Sequence, residues 1–206
     1  MKKRAAFLVI VGLIFFVTGK IFAQTVYKVH SHNDYAQKLP FWYAYSNGAS
    51  SIEADVFLKN DSLYVTHAED EIVKGKTFDK LYLNRVSSLE RSGELRPLQL
   101  LIDLKSEAYA TLDKLEEVLK KYPSLINGGK VKFVVSGNRP KPEEYKNYPD
   151  FIWFDHQNLD ELEHMDLSKV ALVSSSYKNY SVWNGYGRMT ALDLEKVKRA
   201  IAKAKT

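Results

Sequence analysis

Seven short apolar runs separated by amphipathic stretches, polar residues gathered at the run ends, and no glycine-rich loop after the first run predict an α/β fold. The form expected is a TIM-type (β/α) barrel, incomplete at its C-terminus. The runs are 26–30 (VYKVH), 51–58 (SIEADVFL), 63–67 (LYVTH), 98–105 (LQLLIDLK), 131–137 (VKFVVSG), 151–156 (FIWFDH) and 170–176 (VALVSSS). Their near-continuous apolarity argues for parallel strands covered by helices. The clearest helix between them is 110–122, with Leu112, Leu115, Val118 and Leu119 on one stripe. An open nucleotide-binding sheet would carry a glycine-rich phosphate loop after its first strand, whereas here that strand runs into His-Ser-His-Asn-Asp. The polar strand ends, His30, Asp55, His67, Asp103, Lys105, Ser136 and Asp155, fall where a barrel assembles its site. A closed barrel takes eight strands in about 250 residues. Six or seven here leave one or two strand-helix units wanting, so a truncated chain, or closure by a partner chain, is expected.

Residues 1–23 read as a secretory signal peptide: a basic start (Lys2, Lys3, Arg4), an apolar run, and the small residue Ala23 near its end. The run from Ala5 to Gly19 is shorter than the roughly 20 residues of a spanning helix, which weighs against an uncleaved anchor. Cleavage leaves one domain over 24–206 in an exported protein, periplasmic or extracellular. The formal charge of +5 falls to +1 once Lys2, Lys3, Arg4 and Lys20 are removed, so nothing in the charge balance calls for a nucleic-acid partner. With no cysteine, disulfides and thiolate metal sites are excluded.

Glu53 and Asp55 stand two apart in SIEADV and project from the same strand face, while Ile52 and Val56 share the other. Two like charges side by side in an apolar strand need a cation, and Asp103 in LLIDLK adds a third carboxylate. Lys105, on the same face, is one candidate partner and a metal ion is another. Three oxygen ligands point to one hard divalent cation, Mg²⁺ or Ca²⁺, before zinc. His30 and His67, at the ends of their strands, suit paired proton transfer beside such a centre.

The ordered set His30 and Asn33 (HxxN), Glu53 and Asp55 (ExDV), His67 (VxH), and Asp103 and Lys105 (IDLK) resembles the phospholipase C-like phosphodiesterase superfamily, which includes glycerophosphodiester phosphodiesterases and sphingomyelinase D-type phospholipases. The HSHNDY string is similar to altered-inheritance-of-mitochondria phosphodiesterase-like proteins. The resemblance implies that Glu53, Asp55 and Asp103 hold one divalent metal and that His30 and His67 are the catalytic acid and base. Lys105 would contact phosphate, with His32 and Asn33 on the substrate side. It also implies a glycerophosphodiester or phospholipid-type substrate, with transient contact at a membrane surface if that substrate is a lipid. Two departures bear on substrate. Ser31-His32 stands where glycerophosphodiesterases usually have Arg-Gly, which makes His32 a rival to His30, and Asp103 stands where they commonly have Glu.

The alternative is a catalytically silent exported barrel that binds a phosphorylated headgroup or sugar, with Trp42, Tyr43, Trp153, Tyr177 and Trp183 as cleft candidates, although core packing is the simpler expectation for most of them. Ser136, Asn138, Arg139, Asp155 and His156 sit where later strands would present substrate contacts. His164 is expected on a surface helix, and the basic 196–205 stretch on the solvated side of an amphipathic one.

Overall fold

A computed structural model of the chain describes residues 28–205, so the expected signal peptide at 1–23 lies outside the described residues. Its strands are β1 (His30–Ser31), β2 (Ser51–Lys59), β3 (Ser62–Val65), β4 (Leu98–Leu104), β5 (Val131–Gly137), β6 (Ile152–His156) and β7 (Val170–Val173). Its α-helices are α1 (Trp42–Ser46), α2 (Asn84–Ser92), α3 (Ala108–Lys120), α4 (Pro123–Asn127) and α5 (Ala191–Lys203). One sheet holds all the strands in the order β1-β2-β4-β5-β6-β7, every neighbour on that path parallel. Each strand is laid beyond the last without reversal of direction, as a barrel is wound; a doubly wound sheet would turn back. Among the described residues β7 does not pair with β1, and the result is a parallel half-barrel.

The expectation of a barrel strand at 63–67 is corrected. β3 is an antiparallel hairpin partner of β2, reached through Asn60 and Asp61 at φ 46° and 61°. Both central residues of a two-residue type I′ turn need positive φ, which Asn and Asp tolerate. Six strands therefore follow the barrel path. The first run is also shorter than expected within the described residues, and the last contracts to Val170–Val173.

Alternation along the strands separates the two faces. Ile52, Ala54 and Val56 of β2 pair in register with Leu100, Ile102 and Leu104 of β4, and Leu100 and Ile102 continue to Phe133 and Val135 of β5. This face is packed by Leu112, Leu115 and Leu119 of α3 and by Val86 and Leu89 of α2. Each such fully buried aliphatic side chain contributes roughly 1.5–3 kcal/mol of transfer free energy. The intervening residues, Glu53 and Asp55, Asp103, Ser136 and Asp155, turn to the concave side, so the packing that builds the core also delivers the polar row.

Helix α5 buries none of its residues, and Leu192, Leu194 and Ile201 are exposed along with its basic face. Core packing fails as an account of Trp42, Tyr43, Tyr177 and Trp183, which are exposed; Phe41, Ala44 and Tyr45, on either side of the first two, are the buried members of that segment. His164 closes a short 3-10 turn and is exposed, as expected of a surface residue. No helix of the described residues is long and apolar enough to cross a membrane.

Candidate active site

Parallel register sets Asp55 of β2 directly beside Asp103 of β4, and Glu53 lies two residues back on the same face as Asp55. One carboxylate oxygen from each of Glu53, Asp55 and Asp103 lies within 4.8 Å of the others. The two aspartates share a bonding asymmetry. Asp55 Oδ2 accepts from the Tyr35 hydroxyl (2.9 Å) and His67 Nδ1 (2.8 Å), with Lys105 Nζ at 3.4 Å, while its buried Oδ1 has no partner. Asp103 Oδ2 accepts from Lys105 Nζ at 2.8 Å, and its Oδ1 too is buried without a partner. Burial is the main force lifting Asp103 above the ordinary carboxylate range; the charges of Asp55 and Glu53 add to it, and Lys105 acts against it. For Lys105, burial works to lower the ammonium, but its hydrogen bond to Asp103 and the charges of Asp103 and Asp55 outweigh burial and hold it above its usual value. The Tyr35 phenol is pushed well up by burial, then by Asp55.

Two imidazoles flank the acids. His67 follows β3, where the hairpin register and the Thr66 N–H to Asp55 carbonyl bond (3.1 Å) bring it back over β2. Its Nδ1 donates to Asp55, while most of the ring is solvent-exposed. His30 lies between Ser51 Oγ (2.9 Å from Nδ1) and Glu53 Oε2 (2.9 Å from Nε2). Because Glu53 only accepts, His30 carries its proton on Nε2, and Nδ1 takes the Ser51 hydroxyl, which itself accepts from Gln99 Nε2 at 3.0 Å. His32 is more remote, its Nε2 3.7 Å from Glu53 Oε1 and largely exposed, so His30 is the imidazole in hydrogen-bond contact with Glu53.

Asn33 adopts the left-handed conformation (φ 48°) and its side chain makes no capping bond; Ser51 and Glu53 orient His30. The loop is anchored by Asp34, fully buried, which accepts from the Ser31 hydroxyl (3.2 Å), the Tyr82 hydroxyl (3.0 Å) and the Phe41 N–H. Sequence reasoning missed Asp34, Tyr35, Ser51 and Gln99. Ser51 and Gln99 share the strand parity of Glu53 and Asp103, a signal that could have found them. Asp34 and Tyr35 depend on tertiary contacts that no local pattern encodes.

Gly137 closes the wall behind Asp103. Paired with Leu104 at the end of β5, it has φ +71°, and a Cβ there would lie 1.8 Å from Asp103 Oδ1 and 2.5 Å from the Leu104 carbonyl oxygen. Only a residue without a side chain fits. Further along the row, Ser136, Asp155, Ser174 and Gln157 line the same cavity of about 840 Å³ as His30, His32, Glu53 and Asp103. Arg139, Asn138 and His156 lie instead on an adjoining cavity of about 640 Å³ that shares Gln157.

Comparison with known proteins agrees with the resemblance carried by the motifs. The family profile of the AIM6-like phosphodiesterase domain matches residues 20–95, a span that contains both candidate catalytic histidines, Glu53 and Asp55 but ends before Asp103. The altered inheritance of mitochondria protein 6 homolog of Arthroderma benhamiae is 51% identical over 61 residues, 27% of this chain and 19% of that protein. Altered inheritance of mitochondria protein 6 of Kluyveromyces lactis is 37% identical over 111 residues, 38% of this chain and 26% of that one. The matched segments thus span about a quarter or less of these curated relatives. A Ca²⁺-dependent phosphatidylinositol-specific phospholipase C from Streptomyces antibioticus superposes over 85% of this chain and 90% of its own, with a TM-score of 0.44 and 15% identity. The chain's resemblance is to the phospholipase C-like phosphodiesterase superfamily, through its AIM6-like members.

Proposed function

We propose that this chain is an exported, metal-dependent phosphodiesterase that cleaves a glycerophosphodiester or phospholipid-type phosphodiester by histidine acid/base catalysis. The observation that carries the reading is the convergence of Glu53, Asp55 and Asp103 within 4.8 Å, with His30 and His67 hydrogen-bonded to two of them. The donor set fits a divalent cation. Asp55 Oδ1 and Asp103 Oδ1 are buried and unpaired, and an all-oxygen set suits Mg²⁺ or Ca²⁺. When bound, such an ion supplies positive charge for the phosphodiester oxygens.

The chain's own groups do the rest. Lys105, charged and next to the acids, meets a phosphate oxygen. His67, its Nδ1 fixed by Asp55, leaves Nε2 to exchange a proton with the attacking or departing oxygen, and His30, held through Nε2 by Glu53, serves the other through Nδ1 once the substrate oxygen displaces the Ser51 hydroxyl there. His32 and Asn33, on the loop after β1, face the substrate side. Residues 1–23 direct export and 24–206 form the catalytic domain in this reading; N-terminal sequencing of exported protein tests the cleavage point. The silent-binding alternative loses its aromatic argument, since none of Trp42, Tyr43, Trp153, Tyr177 or Trp183 lines the cavity shared by His30, Glu53 and Asp103.

The test is a metal-supplemented assay on a panel of phosphodiesters. Glu53→Ala and His67→Ala should each lower turnover by about 10²-fold or more, with circular dichroism unchanged. Wild-type rates in both variants would overturn the proposal.

A further inference from the structure

We propose that Asp155 is a specificity residue that accepts a hydroxyl from the alcohol part of the substrate, so that the site prefers a polyhydroxy alcohol, glycerol being the smallest, over a choline-type headgroup. This rests on the phosphodiesterase reading and deepens it.

Asp155 is 1% exposed at the end of β6. Three donors converge on its Oδ2: the hydroxyls of Ser136 (2.9 Å) and Ser174 (2.8 Å) and the Gln157 amide (3.0 Å). Its Oδ1 is buried with no partner at all. A carboxylate needed only to tie β5, β6 and β7 together would use both oxygens; here one oxygen is pinned by three strand-end side chains and the other is left as an unused acceptor. Gln157 also donates to Ser136 Oγ at 3.2 Å, so the donor set is itself cross-linked and the carboxylate cannot easily turn.

Position ties this acceptor to the reaction site. Asp103 pairs with Ser136, and Val135 pairs with Phe154, so Asp103, Ser136 and Asp155 stand side by side across three strands. Two strand spacings separate Asp155 from Asp103, roughly 10 Å. Asp155 and Asp103 line one cavity, and Asp155 is not among the acids that could share an ion. A phosphoryl group drawn to a cation that Glu53, Asp55 and Asp103 would hold could extend its alcohol along this row toward Asp155.

The surroundings select hydroxyl over quaternary ammonium. Recognition of such a cation calls for the faces of Trp, Tyr or Phe, and among the described residues none of these lines this cavity. The nearest indole on β6, Trp153, already has Lys132 Nζ 4.5 Å and Lys169 Nζ 5.7 Å from its ring centroid. Hydroxyl and amide groups surround Asp155 instead, the setting in which a buried acceptor discriminates by the hydrogen bond it makes or loses.

Calorimetric titration of the full chain with Ca²⁺ present, using glycerol 3-phosphate and phosphocholine, tests the proposal. The wild type should bind glycerol 3-phosphate about tenfold more tightly, the worth of one well-placed hydrogen bond. In Asp155→Asn the three donors keep the amide oxygen at the Oδ2 position, and an NH₂ donor replaces the free acceptor. Affinity for glycerol 3-phosphate should fall about tenfold, while phosphocholine changes by less than about twofold. Should that variant not fold, Ser174→Ala, which keeps the carboxylate but loosens it, should narrow the preference. Equal affinities in the wild type, equal weakening of both ligands, or no change in either variant would overturn the assignment. Because binding needs no turnover, a wild type that shows the preference yet cleaves no phosphodiester would remove the catalytic reading and leave this one; one that binds neither ligand removes both.

Discussion

Gly137→Ala probes the wall behind the acids. The new Cβ would lie 1.8 Å from Asp103 Oδ1, 2.5 Å from the Leu104 carbonyl oxygen and 2.9 Å from the Leu104 N–H nitrogen, two of them backbone atoms of a central strand. At φ +71° alanine carries a left-handed penalty of about 1–2 kcal/mol, and relieving the overlap adds about 1–3 kcal/mol. The variant should therefore lose about 2–5 kcal/mol, a fall in Tm on the order of 5–15 °C for a domain of this size. Relief also has to move Asp103, whose carboxylate is softer than the strand, so Ca²⁺ or Mg²⁺ affinity should drop at least about tenfold, equivalent to about 1.4 kcal/mol of lost coordination. Differential scanning fluorimetry gives the first quantity and metal titration the second. A variant that melts within about 2 °C of wild type and binds the ion equally well would refute the contact between Gly137 and Asp103.

Asp34→Ala should cost about 2–5 kcal/mol in urea unfolding, because the Tyr82 hydroxyl and the Phe41 N–H would each be left buried without an acceptor; a loss under about 1 kcal/mol would show the anchor to be dispensable. Thermal stabilisation by Ca²⁺ should be larger near pH 7 than near pH 4. Asp103 is held above the ordinary carboxylate range chiefly by burial, so its protonated form favours the folded state, and that contribution is lost as pH rises through the folded pKa. Binding the ion releases this proton, so the proton competes with the ion more strongly as the pH falls. Lys105, raised above its usual value, stays charged at both pH values and does not contribute to the difference; equal shifts in melting temperature would disprove the coupling.

How far the sequence discloses this molecule depends on the range of the interaction concerned. Strands β2, β4 and β5 were legible because Ile52, Leu100 and Phe133 belong to near-continuous apolar runs, and because period two alone places Glu53, Asp55 and Asp103 on the opposite face. The concave polar row follows from that parity once register is known. Pattern could not tell an antiparallel ribbon from a barrel strand at 63–67, since both alternate, and the signal lay in Asn60-Asp61. The exposure of Trp42 and Tyr43 beside buried Phe41 and Tyr45 is a matter of helix phase within a five-residue α1, too short to show a period. Tyr35 bonds Asp55 across 20 residues and Tyr82 bonds Asp34 across 48, separations at which composition is silent.

The β2–β3 ribbon has a mechanical consequence for proton transfer. His67 reaches Asp55 only because the Asn60-Asp61 reversal fixes how the returning strand is phased against the outgoing one, Val65 opposite Val56. A single residue inserted in that reversal would slide the return path by one step and invert its side chains. The imidazole would then be carried a step away from Asp55, with every acid still in place. Two residues at the tip of a surface ribbon thus act as the timing of the site.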